Sequence, residues 1–453
     1  MVMGVLSNGF MLLVLVSLIL YYTVPDKFKW IILTITSFVF YYICSGKYMA
    51  YILFSIMITY AAALIIEKNK DHKKLVLTLG IILNISGLCI TKYAGFVINN
   101  VSSVLKMEVG AFNLIVPIGI SFFTFQTVGY MVDVYRGNIN CEKNIFKYAL
   151  FVSYFPQIIQ GPISRYSDLS RQFYSPGKWD TQRNINAVSR MAWGIFKKLV
   201  ISESAFIVVN SLMNVNDGEK ISGMLVMVFY MIMLYTDFSG GIDVIMGVSA
   251  LFGIELKENF VQPFFASSVS EFWRRWHVTL GTWFRDYIYI PLGGNRVSKT
   301  RLLLNIGIVW IITGLWHGAN WNYILWGIYF GVFVIIEKLF LYDFLKNHKI
   351  FGHIYTLIVV PAGFLIFSQE DLNIVGSMFA NFFSLPKAGS LPLSIIMVVA
   401  IGIIMLIICG VIKEKKVVIK GQWSRFIFIV LILLLTGILG PKGAMKGFIY
   451  AQF

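Results

Sequence analysis

About a dozen long apolar stretches, separated by short polar loops, leave this chain few folds. They lie at roughly 4–23, 29–45, 48–66, 75–91, 112–135, 186–212, 222–246, 302–316, 320–341, 353–368, 391–412 and 426–440. A helix needs about 20 mostly apolar residues to cross a hydrocarbon core of roughly 30 Å. Within lipid, each backbone N–H and C=O must be satisfied inside the segment, which makes helices the solution for runs of this length. Only 13% of the residues are charged and 58% are hydrophobic, against about 25% charged in soluble domains. A soluble globule of that composition would lack the polar groups to cover its surface. The expected fold class is an all-α polytopic membrane protein with about 11–13 transmembrane helices in one integral membrane domain, residues 1–453. The first stretch has no lysine or arginine before it and no small-residue cleavage pattern, so it reads as a retained span rather than a signal peptide.

Two segments differ from the rest. Residues 148–162 and 260–292 mix aromatics, prolines and charges, which suits re-entrant or interfacial pieces lining a protein cavity. Basic residues concentrate in 67–74, 136–198, 274–301 and 413–425, while 214–221 and 369–390 carry Asp217, Glu219, Glu370 and Asp371. The positive-inside bias puts the four basic segments in the cytoplasm and both termini outside, provided 148–162 does not cross. The net charge of +16 is therefore a membrane signature. Its scatter through short loops argues against a nucleic-acid partner. Cys44, Cys89, Cys141 and Cys409 form no CxxC pair and no metal spacing, so they read as structural thiols and no metal is expected. The chain shows no internal repeat, which weighs against an inverted-repeat transporter. It also lacks a GxSxG elbow, a Walker loop, a dinucleotide fingerprint and HExxH. Any acyl chemistry must then draw on an activated donor made elsewhere.

Ionisable residues in apolar surroundings are costly and mark candidate sites. His317, one of five histidines, lies in Gly314-Leu315-Trp316-His317-Gly318-Ala319-Asn320 between two apolar stretches. The short apolar run before it, from about 303 to 313, covers roughly 17 Å. Gly314 and Gly318 are expected to loosen the helix there. That places His317 near mid-membrane; a helix beginning earlier moves it to the outer rim. A neutral imidazole in such a cavity serves as a general base at ordinary pH. The alternative is a histidine satisfied by neighbouring helices.

The densest polar run is Glu271-Phe272-Trp273-Arg274-Arg275-Trp276-His277, continuing to Arg285 and Arg296. On one helix, Trp273, Trp276 and His277 share a face. Arg274, Arg275 and Arg285 suit phosphate or pyrophosphate oxygens, because guanidinium forks match them. The alternative is an interfacial helix with aromatic anchors. Asp237 and Asp243, inside an apolar span at Tyr235-Thr236-Asp237-Phe238-Ser239-Gly240-Gly241, need a cavity or a basic partner. Asp237 is read as orienting a histidine or pairing with an arginine, or as half of a structural polar pair. Gly240-Gly241 permits a break or close packing. Arg165 and Arg171, after Gly161-Pro162-Ile163-Ser164, add to the basic surface, and Arg165 joins Arg274, Arg275 and Arg285 as a donor-binding candidate.

Taken together these residues resemble the membrane-bound O-acyltransferase (MBOAT) family, most closely its bacterial branch of alginate and peptidoglycan O-acetylation proteins. The likeness runs from Val116-Pro117-Ile118-Gly119 through Val132-Asp133-Val134-Tyr135-Arg136-Gly137, Gly161-Pro162-Ile163, Asp237-Phe238-Ser239-Gly240, Arg274-Arg275-Trp276-His277 and Tyr289-Ile290-Pro291-Leu292-Gly293-Gly294-Asn295-Arg296 to Leu315-Trp316-His317-Gly318. The resemblance implies spanning and re-entrant helices around a central tunnel, with His317 as the catalytic histidine and His277 as a second one. Asp237, Trp276, Trp316 and Asn320 are the supporting residues expected around them. No cofactor is held permanently; an acyl-CoA, above all acetyl-CoA, is the implied donor. The tail 448–453 looks like an extracytoplasmic aromatic motif in which Tyr450 carries the acyl group to an SGNH-type partner. Gly241 stands where relatives have tyrosine, and Ala451 where many have an aromatic. The expected setting is a bacterial cytoplasmic membrane, among lipids. Two other functions stay open: D-alanyl transfer to teichoic acids from a carrier-protein thioester, and a polysaccharide export component without chemistry.

Overall fold

The computed structural model describes residues 4–69, 71–106, 114–175, 177–214, 220–386, 392–414 and 421–441. Among them the regular structure is helical, with no strand and one isolated antiparallel bridge, Phe260 to Trp276. Among the described residues, eight helical stretches are long and apolar enough to cross a membrane; the first, Asp26–Lys68, is two helices joined by a tight turn, and Asn8–Thr23 is apolar but shorter. The chain is an all-α polytopic membrane protein. Its contacts divide it into two units, Met1–Asn184 with Val248–Lys257, and Ile185–Gly247 with Glu258–Phe453.

In the first unit, α1 (Asn8–Thr23) starts where the Ser7 side chain accepts the Phe10 N–H at 3.2 Å, a normal N-cap. It stops before Pro25, whose ring disfavours helix in the preceding residue. α2 (Lys29–Ser45) ends at Gly46 with φ 53°, and α3 (Met49–Lys68) follows. α4 (Lys73–Leu105) runs well beyond the stretch expected at 75–91. α5 (Ile120–Arg136) is entered through Gly119 at φ 71°, where a Cβ would lie 2.3 Å from the Ile158 carbonyl oxygen. α6 (Ile145–Ser153), capped by Asn144, has nine residues, which rise only about 14 Å. The segment around 148–162 is therefore too short a helix to cross. α7 (Tyr166–Tyr174) follows. Apolar helix faces gain little by leaving lipid for one another, so buried hydroxyls and amides contribute to their register. Ser55 Oγ donates to Asn84 Oδ1 at 2.8 Å, and Asn84 Nδ2 donates to Thr127 Oγ1 at 2.6 Å, linking α3, α4 and α5.

In the second part of the chain, α8 (Thr181–Phe196) passes through a π-helical turn, Lys197–Ser202, into α9 (Glu203–Met213). The expected span 186–212 is thus interrupted. α10 (Gly223–Leu251) runs unbroken through Gly240. A Cβ on Gly194 would lie 2.6 Å from the Gly240 carbonyl oxygen, and one on Gly240 would lie 2.8 Å from that of Gly194. The glycine there serves close packing. The remaining helices are α11 (Val269–Arg275), α12 (Val278–Phe284), α13 (Lys299–His317), α14 (Trp321–Ile336), α15 (Tyr342–Asn347), α16 (Lys349–Phe367), α17 (Leu372–Ala380), α18 (Leu393–Glu414) and α19 (Gln422–Leu439).

Gly318 stands in extended backbone where α13 ends, but Gly314 does something other than loosen the helix. A Cβ on Gly314 would lie 2.3 Å from the Tyr323 carbonyl oxygen, and one on Gly327 2.4 Å from that of Trp310. α13 and α14 meet backbone to backbone because these positions carry no side chain, the small-residue packing of membrane helices. Gly327→Ala forces them apart and is expected to cost about 1–3 kcal/mol. This reads as a lower thermal-unfolding midpoint of the detergent-purified protein. Gly307→Ala, with nothing within 4 Å of the added carbon, is expected to leave the midpoint level or raise it, since alanine is the better helix former.

Candidate active site

α11 is docked by its N-terminus. Ser268 Oγ accepts the Glu271 N–H at 3.0 Å, and the buried Glu337 carboxylate accepts the Val269 and Ser270 N–H groups at 2.5 and 2.8 Å. A carboxylate suits the positive end of a helix. Glu337 opens a π-helical turn, Glu337–Leu341, that follows α14.

α11 ends after seven residues, and this corrects the single helical face expected for Trp273, Trp276 and His277. Trp276 is extended and His277 has φ 46°, the left-handed region. Backbone groups here pair with the neighbouring extended segment instead. Val261 N donates to Arg275 O at 2.8 Å and Val278 N to Asn259 O at 3.1 Å. α12 then starts afresh. His277 is 3% exposed and its Nδ1 lies 3.3 Å from Asn259 Oδ1. Burial pushes its pKa down to about 3, so the ring is neutral at ordinary pH.

His317 ends α13. The helix begins at Lys299, earlier than the apolar run, and its 19 residues rise about 28 Å. His317 therefore stands at the end opposite Lys299 and Arg301. It is nonetheless 5% exposed. Trp316, Trp326 and Phe367 meet its ring edge-to-face, with centroids 4.9, 5.0 and 5.3 Å away. Trp316 also meets His277 at 5.9 Å.

Both histidines line one cavity of about 850 Å³, a volume in the range of small-molecule sites. Trp273, Trp276 and Trp310 form aromatic wall, and Arg274, Arg285, Lys338, Glu337 and Asp343 supply the charges. Arg274 and Arg285 were both expected at a donor site and both reach this cavity. Arg285 also meets Asp286 at 2.7 Å. Arg275 differs: its guanidinium grips Glu271 at 2.9 and 3.1 Å, and it is not among the lining residues. Arg165 belongs to the first unit, as the residue before α7. Asn320 caps α14, accepting the Trp321 N–H at 2.6 Å. Asp237, fully buried, pairs with a lysine where an arginine or histidine was expected: Lys198 Nζ is 2.8 Å away. Asp243 takes Arg190 at 2.8 Å and Lys197 at 2.6 Å. Tyr450 lies outside the described residues.

Asn259, Trp310, Trp326, Glu337 and Lys338 also belong to this site, outside the set expected from the sequence. The last two carried a usable signal, since ionisable residues inside the stretch 320–341 fall under the rule that singled out His317. The cavity offers two imidazoles for proton transfer and cationic groups for an anionic ligand.

Residues 142–369 match the model of the MBOAT, membrane-bound O-acyltransferase family. The chain is 33% identical over 388 residues to the "Probable alginate O-acetylase AlgI" of Azotobacter vinelandii, covering 83% of this chain and 77% of that protein. It is 33% identical over 374 residues to the peptidoglycan O-acetyltransferase of Helicobacter pylori, covering 75% and 71%. Against the teichoic acid D-alanyltransferase of Bacillus subtilis the identity is 28% over 284 residues, covering 58% and 71%.

Proposed function

The chain belongs to the membrane-bound O-acyltransferase family and is an O-acyltransferase; on that premise we propose that it moves acetyl from a cytoplasmic thioester such as acetyl-CoA outward, for O-acetylation of an envelope or secreted polysaccharide. The observation carrying this reading is that His317, His277, Arg274, Arg285 and Lys338 share one cavity. His317 takes the proton of an acceptor hydroxyl, and that oxygen attacks the thioester carbonyl carbon. The tetrahedral intermediate breaks its C–S bond, and the imidazolium returns the proton to the departing sulfur. The products are an oxygen ester and a free thiol. Tyr450 is the proposed hydroxyl on this chain, with an extracytoplasmic SGNH-type transferase completing delivery from a bacterial cytoplasmic membrane. Acetyl is favoured over D-alanyl because the relatives named for acetylation match at higher identity over more of the chain.

The direct test pairs acetyl transfer from labelled acetyl-CoA in reconstituted vesicles with mass spectrometry of envelope polymers from cells with and without the protein. No label transfer and unchanged polymers would reject the reading. The donor-side arginines give a finer prediction. A hydrogen bond to a charged group is worth about 1.5–3 kcal/mol. Arg274→Ala and Arg285→Ala are each expected to raise KM for acetyl-CoA roughly tenfold or more, with little change in kcat. Arg275→Ala, whose fork is held by Glu271, is expected to move KM far less.

A further inference from the structure

We propose that Asn259 is a positioning residue that fixes His277 as the Nδ1–H tautomer and so makes Nε2 the basic atom of that ring. The inference rests on the reading that His277 serves acyl transfer.

The identity of the facing atom is settled by a group that only donates. The Thr279 backbone N–H reaches Asn259 Oδ1 at 3.1 Å, so the oxygen and nitrogen of this amide cannot be exchanged. Thr279 Oγ1 donates to the same oxygen at 2.9 Å. His277 Nδ1, at 3.3 Å, therefore faces an acceptor and must carry the hydrogen. Burial keeps the ring neutral, which leaves Nε2 with the lone pair.

Two further observations point to the oxygen as the reason for an amide here. Asn259 is fully buried, and its Nδ2 is buried without a hydrogen-bond partner among the described residues. An unsatisfied buried donor is unfavourable, and an apolar side chain of the same size would avoid it. The oxygen meanwhile meets three donors. Its position is braced from both sides. Asn259 O accepts the Val278 N–H at 3.1 Å, and the preceding Glu258 holds the Arg190 fork at 2.8 and 2.7 Å. Arg190 is in turn anchored on Asp243. The left-handed backbone at His277 then presents the ring to an acceptor that has little freedom to move.

Nitrogen-15 NMR of the full-length, 15N-histidine-labelled protein in nanodiscs reads the tautomer directly. Subtracting the spectrum of His277→Gln assigns one ring among five histidines. The expected wild-type signal is a protonated Nδ1 with an unprotonated Nε2. Asn259→Asp keeps the acceptor and is expected to keep that pattern. Asn259→Leu removes it and is expected to move the hydrogen to Nε2 in part or wholly, with kcat for acetyl transfer down roughly tenfold or more and KM for acetyl-CoA little changed. A wild-type His277 protonated at Nε2, or a pattern unmoved by Asn259→Leu, overturns the proposal. If the leucine variant does not insert, the wild-type and aspartate spectra still decide. Unaltered transfer in His277→Gln overturns the histidine's part in the reaction, while the tautomer spectrum continues to decide the part of Asn259.

Discussion

His317→Ala is expected to lower kcat for acetyl transfer by about 10²–10⁴-fold, the usual contribution of a positioned general base. That equals about 3–5 kcal/mol of barrier. The KM for acetyl-CoA is expected to change little, because the cationic groups of the cavity are separate from the imidazole. Alanine also opens space among Trp316, Trp326 and Phe367, whose rings pack on the histidine. His317→Gln separates packing from chemistry. It fills most of the same volume and retains hydrogen-bonding groups, but its amide does not take up a proton at ordinary pH. Both variants are therefore expected to lose transfer to the same degree, while only alanine lowers the thermal midpoint. The assay is label transfer from acetyl-CoA in vesicles loaded with matched amounts of inserted protein. Transfer by His317→Gln within a fewfold of wild type would remove His317 as the base.

The sequence spoke most clearly where one physical rule acted alone. Long apolar runs become helices because lipid allows little else, and α2, expected at 29–45, has those bounds. His317 stood out because a titratable group between apolar runs is costly. A sequence misleads where two rules compete. Periodicity put Trp273, Trp276 and His277 on one helix, but pairing with residues 259–261 pulls Trp276 and His277 out of it. That competitor lies more than a dozen positions away and leaves no local mark. Gly314 was read as a flexible point because sequence does not show that the Tyr323 backbone sits against it. Arg274 and Arg275 are chemically alike in the sequence. Only the fold shows that Glu271, one helical turn before Arg275, takes its guanidinium and leaves Arg274 to the cavity. Asp237 needs a basic partner, as a carboxylate inside an apolar span does, but that partner comes from a π-helical turn that periodicity does not announce.

Lys198→Met is expected to be the most damaging single change to stability, at about 3–5 kcal/mol, the cost of breaking a buried ion pair from one side. Lys198 is 2% exposed and lies 2.8 Å from Asp237 and 2.7 Å from Glu203. Removing its charge leaves two carboxylates to face each other's field, one of them fully buried. Asp237→Leu is expected to cost less, because the ammonium keeps Glu203. The double variant Lys198→Met with Asp237→Leu is expected to recover much of the loss, since apolar groups of similar volume replace buried ion pairs at little net cost. Thermal unfolding of the four detergent-purified proteins gives the coupling between the two positions. A positive coupling of about 1 kcal/mol or more, with the double variant more stable than Lys198→Met alone, is the expected result. Strict additivity would mean that Lys198 and Asp237 do not stabilise each other. The same turn begins with Lys197, which holds Asp243 and Ser239, and Asp243 anchors the arginine that grips Glu258. A loss of acetyl transfer beyond the loss of folded protein in Lys198→Met would then report strain passed along that chain of ion pairs to Asn259 and His277.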